Sequence, residues 1–298
     1  EIGMNLYVYG YGPRDKERLI IVDLGVAFPD MDTTPGVDLI FPDIAWLTDR
    51  RNQIEAIFIT HAHEDHIGAL GHLWAKLGAP VYARNFTSKI AIRKLEENGQ
   101  TGQIVKIVSS WPDITKVGPF EVSYIPVSHS IPESSALVID TPKGRLIHSG
   151  DFKLDEKPVV GEAFDHQMWK KVCSKGVRAF ICDSTNVFSE NEGRSESEVA
   201  PEIRKLIEKC SEMVVATTFA SNVARIKSLA EAAEEAGRSV CLMGRAMKRM
   251  IEVSIESGVL SDLPNFISPE DAKKVPKRNL LLIVTGSQGE RRAASAQL

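Results

Sequence analysis

Three of the chain's seven histidines and an aspartate stand within one short string, His61-Ala62-His63-Glu64-Asp65-His66. The string follows an apolar run, residues 54–60, whose composition predicts a buried strand. Imidazole and carboxylate groups together are typical ligands of zinc and of similar divalent ions. Ordinary core packing gives no reason to bring four such side chains together. The string therefore predicts a metal site at the point where a strand ends and a loop begins.

Other candidate ligands stand just after further apolar runs. His129 follows the run 122–127, and Asp151 follows the run 146–149. Functional side chains often lie on loops that a rigid sheet presents, so the repeated pattern favours both as ligands over a packed histidine and a turn aspartate. Asp23 ends another such run, where it either orients a metal-bound histidine or caps the following turn.

Length and composition set wider limits. A chain of 298 residues is long enough for a large core and for two domains. No run of about eighteen apolar residues is present, so the sequence predicts no membrane span. The first residues, 1–5, do not resemble a signal peptide and are typical of the interior of a motif.

The cysteines and the net charge bear on compartment and partners. Cys173, Cys182, Cys210 and Cys241 lack metal-type spacing, which predicts reduced and mostly buried thiols in a cytoplasmic protein. The net charge of -4 does not indicate a nucleic-acid-binding protein. It does not exclude one either, because two divalent metals would reverse the local charge of an acidic site.

The two halves of the chain differ in their pattern of predicted strands and helices. Up to about residue 150, short strands alternate with turns, and one helix is predicted to run from near Asp65 to Leu77. From about residue 177, strands and helices alternate regularly, which predicts a parallel sheet covered by helices. The polar segment 189–195 predicts a boundary between a first domain, 1–190, and a second, 191–298.

The second half also carries weaker candidates for phosphate binding. Ser221 and Asn222 stand between a predicted strand and helix, and Ser287 lies in a glycine-rich turn after the last strand. Such positions can bind anions, although a helix cap and a plain turn explain them as well. Two other histidines, His72 and His166, are predicted to have no ligand role.

Taken together, these motifs resemble a known family. The histidine string with His129 and Asp151 downstream resembles the ligand set of the metallo-β-lactamase fold. The second half is similar to the β-CASP insertion of nucleic-acid-processing members, and the match extends to the bacterial ribonuclease J family. The matching segments are residues 1–5, 129–134, 183–186, 219–222, 244–247 and 285–290. The resemblance implies an α/β fold, an αββα sandwich followed by a β-CASP domain with a mostly parallel sheet.

The resemblance also implies two zinc ions per full-length chain. The first would be held by His61, His63 and His129, the second by Asp65 and His66, and both by Asp151. Asp65 and Asp151 would be the catalytic carboxylates, and Asp183 would orient a histidine near the metals. The family takes a further ligand histidine from a later segment, so we expect this chain to be the front portion of a longer enzyme and weakly active alone.

The function that the resemblance implies is hydrolysis of RNA phosphodiester bonds, as a 5′ exonuclease, an endonuclease or both. Two metals can activate water and stabilise the phosphate in such a reaction. The implied substrate is single-stranded, 5′-monophosphorylated RNA, the implied assembly is a cytoplasmic homo-oligomer, a dimer or tetramer, and no membrane partner is expected. Three alternatives stay open: another hydrolase on this scaffold, a DNA-processing nuclease, and a non-catalytic RNA-binding fragment.

Overall fold

The computed structural model describes residues 3–29, 34–100, 105–190, 193–286 and 294–297, and the chain divides into two units. The first unit comprises Glu1–His129, Glu133–Lys153 and Asp165–Glu190. The second comprises Ser130–Pro132, Leu154–Phe164 and Asn191–Leu298. Two short segments that precede residue 190 thus group with the second unit, and the domain division at 190 and 191 stays a prediction.

The first unit contains two sheets and the helices that cover them. Its strands are β1 Tyr7–Tyr11, β2 Arg18–Val22, β3 Ile54–Phe58, β4 Val81–Ala83, β5 Lys106–Ile107, β6 Thr115–Val117, β7 Phe120–Pro126, β8 Ser135–Thr141, β9 Gly144–His148 and β10 Ala179–Ile181. Its α-helices are α1 Ala45–Thr48, α2 Glu64–Ile67, α3 Leu70–Leu77, α4 Asn85–Glu97 and α5 His166–Cys173. The sheet orders are β1-β2-β3-β4-β5 and β10-β9-β8-β7-β6.

The two sheets pack face to face, as the alternating apolar positions of their strands require. The core between them consists of Ile20, Val22, Ala56, Phe58 and Tyr82 from the first sheet and Val117, Phe120, Val122, Tyr124, Leu137 and Ile139 from the second. On its outer face the second sheet packs against Val172 of α5. Helix α4 packs along β4 and β5 of the first sheet and buries Phe86 and Ile90. The predicted αββα sandwich is confirmed.

One predicted helix of this unit is wrong. The helix expected to run from near Asp65 to Leu77 is two helices, α2 and α3. In a continuous helix the N–H of Ala69 would donate to the carbonyl of Asp65. It donates instead to the carbonyl of Leu24 at 2.9 Å, and the Asp65 carbonyl accepts from the N–H of Asn5 at 2.9 Å. Bonds to distant segments therefore replace the helical bonds at this point.

The second unit has the predicted alternation of strands and helices. Its elements are α6 Glu196–Lys209, β11 Val214–Thr217, α7 Val223–Glu235, β12 Ser239–Met243, α8 Arg245–Glu256, α9 Pro269–Ala272 and β13 Leu280–Val284. The sheet order is β11-β13-β12 with both pairs parallel. Apolar side chains of α6, α7 and α8 pack on one core with this sheet, and α9 packs on another. The predicted parallel sheet flanked by helices is confirmed.

The expectation of mostly buried cysteines is wrong. Cys173, Cys182 and Cys210 are exposed, and only Cys241 is buried. The three exposed residues stand at or just past the ends of elements, whereas Cys241 lies in the middle of β12 and contributes to a core. All four are free thiols. Among the helices in the described ranges, none is long and apolar enough to cross a membrane.

Candidate metal centre

The predicted ligands of the first unit converge at one edge of its two sheets. Asp23 follows β2 and His61 follows β3, and these strands run parallel, so both side chains leave the same edge. In the second sheet β7 and β9 both run antiparallel to β8, which places His129 and Asp151 after their ends at a common edge. The strand directions thus bring together residues that are far apart in sequence.

A first group of donor atoms comprises His61, His63, His129 and Asp151, whose candidate ligand atoms all lie within 4.8 Å of one another. The Nδ1 atom of His63 lies 3.1 Å from Nε2 of both other histidines. Burial lowers the pKa of His61 well below its usual range, lowers that of His63 to about 3, and lowers that of His129. Neutral imidazoles with clustered lone pairs are the form that binds a cation.

A second group comprises Asp65, His66 and Asp151. The Nε2 atom of His66 lies 3.2 Å from Oδ1 of Asp151 and 3.4 Å from Oδ2 of Asp65. The other oxygen of Asp151, Oδ2, lies 3.8 Å from Nε2 of His129 in the first group. Asp151 therefore belongs to both groups, with one oxygen directed towards each.

Asp23 orients His66 directly and His61 through Thr60, by hydrogen bonds on the side of each ring away from the donor groups. Its carboxylate is fully buried, and its Oδ2 lies 2.7 Å from Nδ1 of His66. The same carboxylate accepts from the N–H and the hydroxyl of Thr60, both at 2.8 Å, and the Thr60 hydroxyl lies 3.0 Å from Nδ1 of His61. Outer hydrogen bonds of this kind fix the orientation of metal-binding imidazoles. They leave Nε2 of both histidines directed into the donor groups.

In the second group, several carboxylates surround the imidazole of His66 and change its pKa. Burial by itself would lower the pKa of His66, but the carboxylates of Asp23, Asp151 and Asp65 raise it well above its usual range. Burial would likewise raise the pKa values of Asp65 and Asp151, but their hydrogen bonds to His66 hold both below the usual range. The ionised carboxylates of this group, beside the neutral imidazoles of the first group, suit a divalent cation.

Backbone packing sets the position of the histidine string. Gly25 passes so close to the string that a Cβ there would lie 1.7 Å from the carbonyl oxygen of Asp65. This close approach permits hydrogen bonds from the N–H of Leu24 to the carbonyl of His66 at 2.7 Å and from the N–H of Val26 to that of Glu64 at 3.0 Å. A side chain at position 25 is therefore incompatible with the observed loop.

The second donor group opens into a cavity of about 400 Å3. The cavity is lined by residues that include Asn5, Tyr7, Asp65, His66, His148, Asp151 and Asp183. Sequence reasoning gave no role to Asn5, His148 or Thr60. A histidine at the end of a strand was a usable signal for His148, and Asn5 lies in the segment 1–5 that carries the resemblance, whereas Thr60 carried no signal. The Nδ2 atom of Asn5 reaches Oδ2 of Asp65 at 3.3 Å and Nε2 of His66 at 3.1 Å.

The remaining predicted residues lie elsewhere or serve other contacts. Asp183 lines the cavity, but its Oδ1 accepts from the N–H and hydroxyl of Thr185 at 2.8 and 2.7 Å. Asn222 caps α7, as predicted, because its side chain accepts from the N–H of Arg225 at 3.0 Å. Ser221, which precedes it, is half-buried. Ser287 lies outside the described residues. The two histidines predicted to be outside the site, His72 and His166, are exposed and belong to neither donor group of the described residues.

Comparison with known proteins gives the class of protein to which this fold and site belong. A family model described as Metallo-beta-lactamase superfamily matches residues 5–173, more than half of the chain. The chain therefore belongs to the metallo-beta-lactamase superfamily. A second model, Ribonuclease J, beta-CASP domain, matches residues 211–298, and the predicted resemblance to ribonuclease J is confirmed. The superfamily and the clustered donors together indicate a divalent-metal site.

Curated relatives match along the whole chain. Ribonuclease J of Sinorhizobium meliloti is 44% identical over 100% of this chain and 53% of its own length. Ribonuclease J of Thermus thermophilus is 35% identical over 97% of this chain and 51% of its own length. The chain thus spans about half the length of these relatives. A solved protein of unknown function from Enterococcus faecalis V583 shares the fold, with a TM-score of 0.60, 18% identity, and coverage of 96% of this chain and 76% of that one.

Proposed function

We propose that the protein is a metal-dependent ribonuclease that hydrolyses RNA phosphodiester bonds. The observation that carries the proposal is the position of Asp151, whose two oxygens are directed towards two different donor groups. Two adjacent cation sites with a shared carboxylate suit hydrolysis of a phosphodiester, because two cations stabilise the attacking and leaving oxygens together. The relatives named Ribonuclease J support RNA as the substrate.

The donor chemistry favours zinc, since three clustered imidazoles suit it better than they suit magnesium or calcium. Two zinc ions are proposed, with ligands His61, His63 and His129, ligands Asp65 and His66, and Asp151 shared. When bound, the ions supply an activated water and neutralise charge on the phosphate. Asp151 fixes the spacing of the two sites because its oxygens belong to different groups.

The protein's own side chains then have distinct tasks. Asp65, an ionised carboxylate of the second donor group, accepts a proton from the attacking water. Asn5 holds the Asp65 carboxylate in place through its amide group. Asp23 keeps Nε2 of His66 directed towards the site. Asp183, on the wall of the same cavity, is proposed to orient a further histidine near the metals.

The proposed substrate is single-stranded RNA with a 5′ monophosphate, cleaved from the 5′ end, internally or both. In the second unit Ser221 and Asn222 are proposed phosphate contacts, since the cap of α7 uses the Asn222 oxygen and leaves its amide donors. Ser287 is proposed for the same role. The protein is proposed to act as a homo-oligomer in the cytoplasm, where its four free thiols stay reduced.

The direct test uses the full-length protein, with metal content measured by mass spectrometry before and after treatment with a chelator. Cleavage is followed on a single-stranded RNA labelled in turn at its 5′ and 3′ ends, which separates release of mononucleotides from internal cuts. DNA of the same sequence and a thioester serve as alternative substrates. The expected result is two zinc ions per chain and RNA cleavage that is lost with the metal and restored by zinc.

His63→Ala and His166→Ala form a matched pair for this test, because the first removes a proposed ligand and the second an exposed histidine of α5. The first variant is expected to lose cleavage and the second to retain it. Less than one metal per chain in an active preparation contradicts the two-metal site. Faster turnover of DNA or of the thioester than of RNA contradicts the proposed substrate.

A further inference from the structure

His148, the last residue of β9, is a buried histidine without a role in metal binding. It is 3% exposed, yet it is one of the residues that line the same cavity as Asp65, His66 and Asp151. It belongs to neither donor group of the described residues. The polar atoms of a buried imidazole need hydrogen-bond partners, so the partner of each ring nitrogen decides what this residue can do.

The Nδ1 atom of His148 has a single partner, the hydroxyl of Tyr9 at 2.9 Å. Within the described part of the chain, the Tyr9 hydroxyl makes no other hydrogen bond. If Nδ1 carried the proton and donated, the hydroxyl proton of half-buried Tyr9 would have no acceptor among the described residues, which is costly. If the hydroxyl donates, both groups are satisfied. Burial also raises the pKa of the Tyr9 hydroxyl, which therefore keeps the proton that it donates.

This hydrogen bond fixes the tautomer of the imidazole. A neutral ring has one N–H, so a ring that accepts at Nδ1 carries its proton on Nε2. Nε2 has no hydrogen-bond partner among the residues that the structure describes. Burial lowers the pKa of His148, so the ring is neutral at physiological pH. A neutral donor also does not repel cations held by the neighbouring ligands.

The ring is held in orientation by β1. The Tyr7 ring packs edge-on against it, with centroids 4.6 Å apart and planes at 67°. The Tyr9 ring packs in the same manner at 6.1 Å and 84°. The Tyr7 hydroxyl donates in turn to Oδ1 of Asn5 at 3.3 Å, and Asn5 contacts Asp65. One edge strand thus supports both His148 and a proposed catalytic carboxylate.

We propose that His148 contacts a phosphate oxygen of the substrate through its Nε2–H, and that Tyr9 is the residue that positions it. The inference rests on the proposed function, since it assigns a phosphate to the cavity beside the second donor group. A phosphate oxygen is a charged acceptor, and hydrogen bonds to charged acceptors are about twice as strong as those to neutral ones. Such a donor contributes to the rate by stabilising charge on the phosphate during cleavage.

The tautomer can be measured without any cleavage assay. Nitrogen-15 NMR of the zinc-loaded full-length protein, labelled on histidine, distinguishes a protonated from an unprotonated ring nitrogen, and the signals absent in His148→Gln assign the residue. The expected result is protonated Nε2 and unprotonated Nδ1, with the Nε2 signal shifting on addition of inorganic phosphate. Loss of this fixed tautomer in Tyr9→Phe is expected, whereas Tyr11→Phe, on the same face of β1, leaves it unchanged.

The kinetic arm compares two substitutions of His148. Leucine removes the donor, and we expect kcat/KM on RNA to fall about a hundredfold with the zinc content unchanged. Glutamine carries an amide N–H near the position of Nε2–H, and we expect it to restore most of the loss. Tyr9→Phe is expected to lower kcat/KM about tenfold, because the ring remains but its orientation and tautomer are no longer fixed. Tyr11→Phe is expected to have no effect.

Three results would overturn the inference: a proton on Nδ1 of the wild-type ring, no response of Nε2 to phosphate, or equal losses in His148→Leu and His148→Gln with none in Tyr9→Phe. If His148→Leu does not fold, the glutamine and Tyr9→Phe variants decide. If the wild-type protein binds zinc but cleaves no RNA, the proposed function fails. The phosphate response of His148 then still shows whether this residue is a phosphate donor.

Discussion

Asp23→Asn tests how far the metal centre depends on a residue that belongs to neither donor group. The Asp23 carboxylate is fully buried, and its Oδ2 faces the Thr60 hydroxyl at 2.8 Å and Nδ1 of His66 at 2.7 Å. Asparagine has the same shape, and its oxygen can still accept from the N–H of Thr60. Its NH2 group then faces two groups that need an acceptor, so the hydrogen bond that orients His66 is lost.

The expected magnitude follows from the charge of that hydrogen bond. A hydrogen bond to a charged group contributes about 1.5–3 kcal/mol. At about 1.4 kcal/mol per factor of ten, this corresponds to a loss of about 10- to 100-fold in zinc affinity. Outer partners of metal-bound histidines generally have effects of this size. The measurement is competition between the full-length protein and a coloured zinc chelator, with the dissociation constant of Asp23→Asn compared with that of wild type.

Asp155→Asn is the matched control for this experiment. Asp155 is also a buried aspartate, and it accepts from the N–H of Lys157 at 2.9 Å, the N–H of Glu196 at 3.0 Å and the hydroxyl of Ser195 at 2.7 Å. All of these contacts lie in the second unit. The control should lower the unfolding temperature without changing zinc affinity. An affinity of Asp23→Asn within twofold of wild type would refute the role assigned to the buried carboxylate.

Three further predictions concern the same centre. Asp151→Ala should abolish cleavage and reduce the metal content below one ion per chain, because both donor groups lose an oxygen, whereas His72→Ala should change neither. Gly25→Ala should lower both stability and activity, the latter about a hundredfold, because its Cβ would displace the Asp65 backbone and errors near 1 Å have such an effect. Zinc binding at pH 7 should release about one proton per chain, since His66 alone of the ligands has a raised pKa and must be neutral to bind. Zinc affinity should accordingly rise with pH.

Controls and contradicting results can be stated for these three predictions. Gly71→Ala introduces a comparable clash, with a Cβ 2.2 Å from the Lys94 carbonyl oxygen, and should lower stability while leaving zinc affinity unchanged. Equal zinc affinity in Gly25→Ala and wild type would show that the close approach does not position the ligands. Proton release is measured by calorimetry in buffers of different ionisation enthalpy, and a value near zero would show that His66 is neutral before zinc binds. Two bound metals in Asp151→Ala would exclude the shared carboxylate.

The sequence by itself determined the local features of this protein. The alternation of strands and helices predicted the parallel sheet of the second half, and the apolar runs predicted the location of the candidate ligands at strand ends. Such features depend on periodicity within a few residues, because a strand exposes alternate side chains and a helix every third or fourth. The αββα sandwich of the first half was implied by the family resemblance. The metal site could be predicted from the histidine string because its donor residues are neighbours in sequence.

Only the tertiary structure decided which distant groups meet. The strand directions place the two oxygens of Asp151 between separate donor groups, and hydrogen bonds with Leu24 and Asn5 divide one predicted helix into α2 and α3. The contacts of Asn5 with Asp65 and of Tyr9 with His148 join positions far apart in sequence. No local pattern records such pairs, because hydrogen bonds and close backbone approaches between segments depend on how the sheets pack. The candidate ligands were therefore readable from the sequence, while the groups that orient them became visible only in the folded chain.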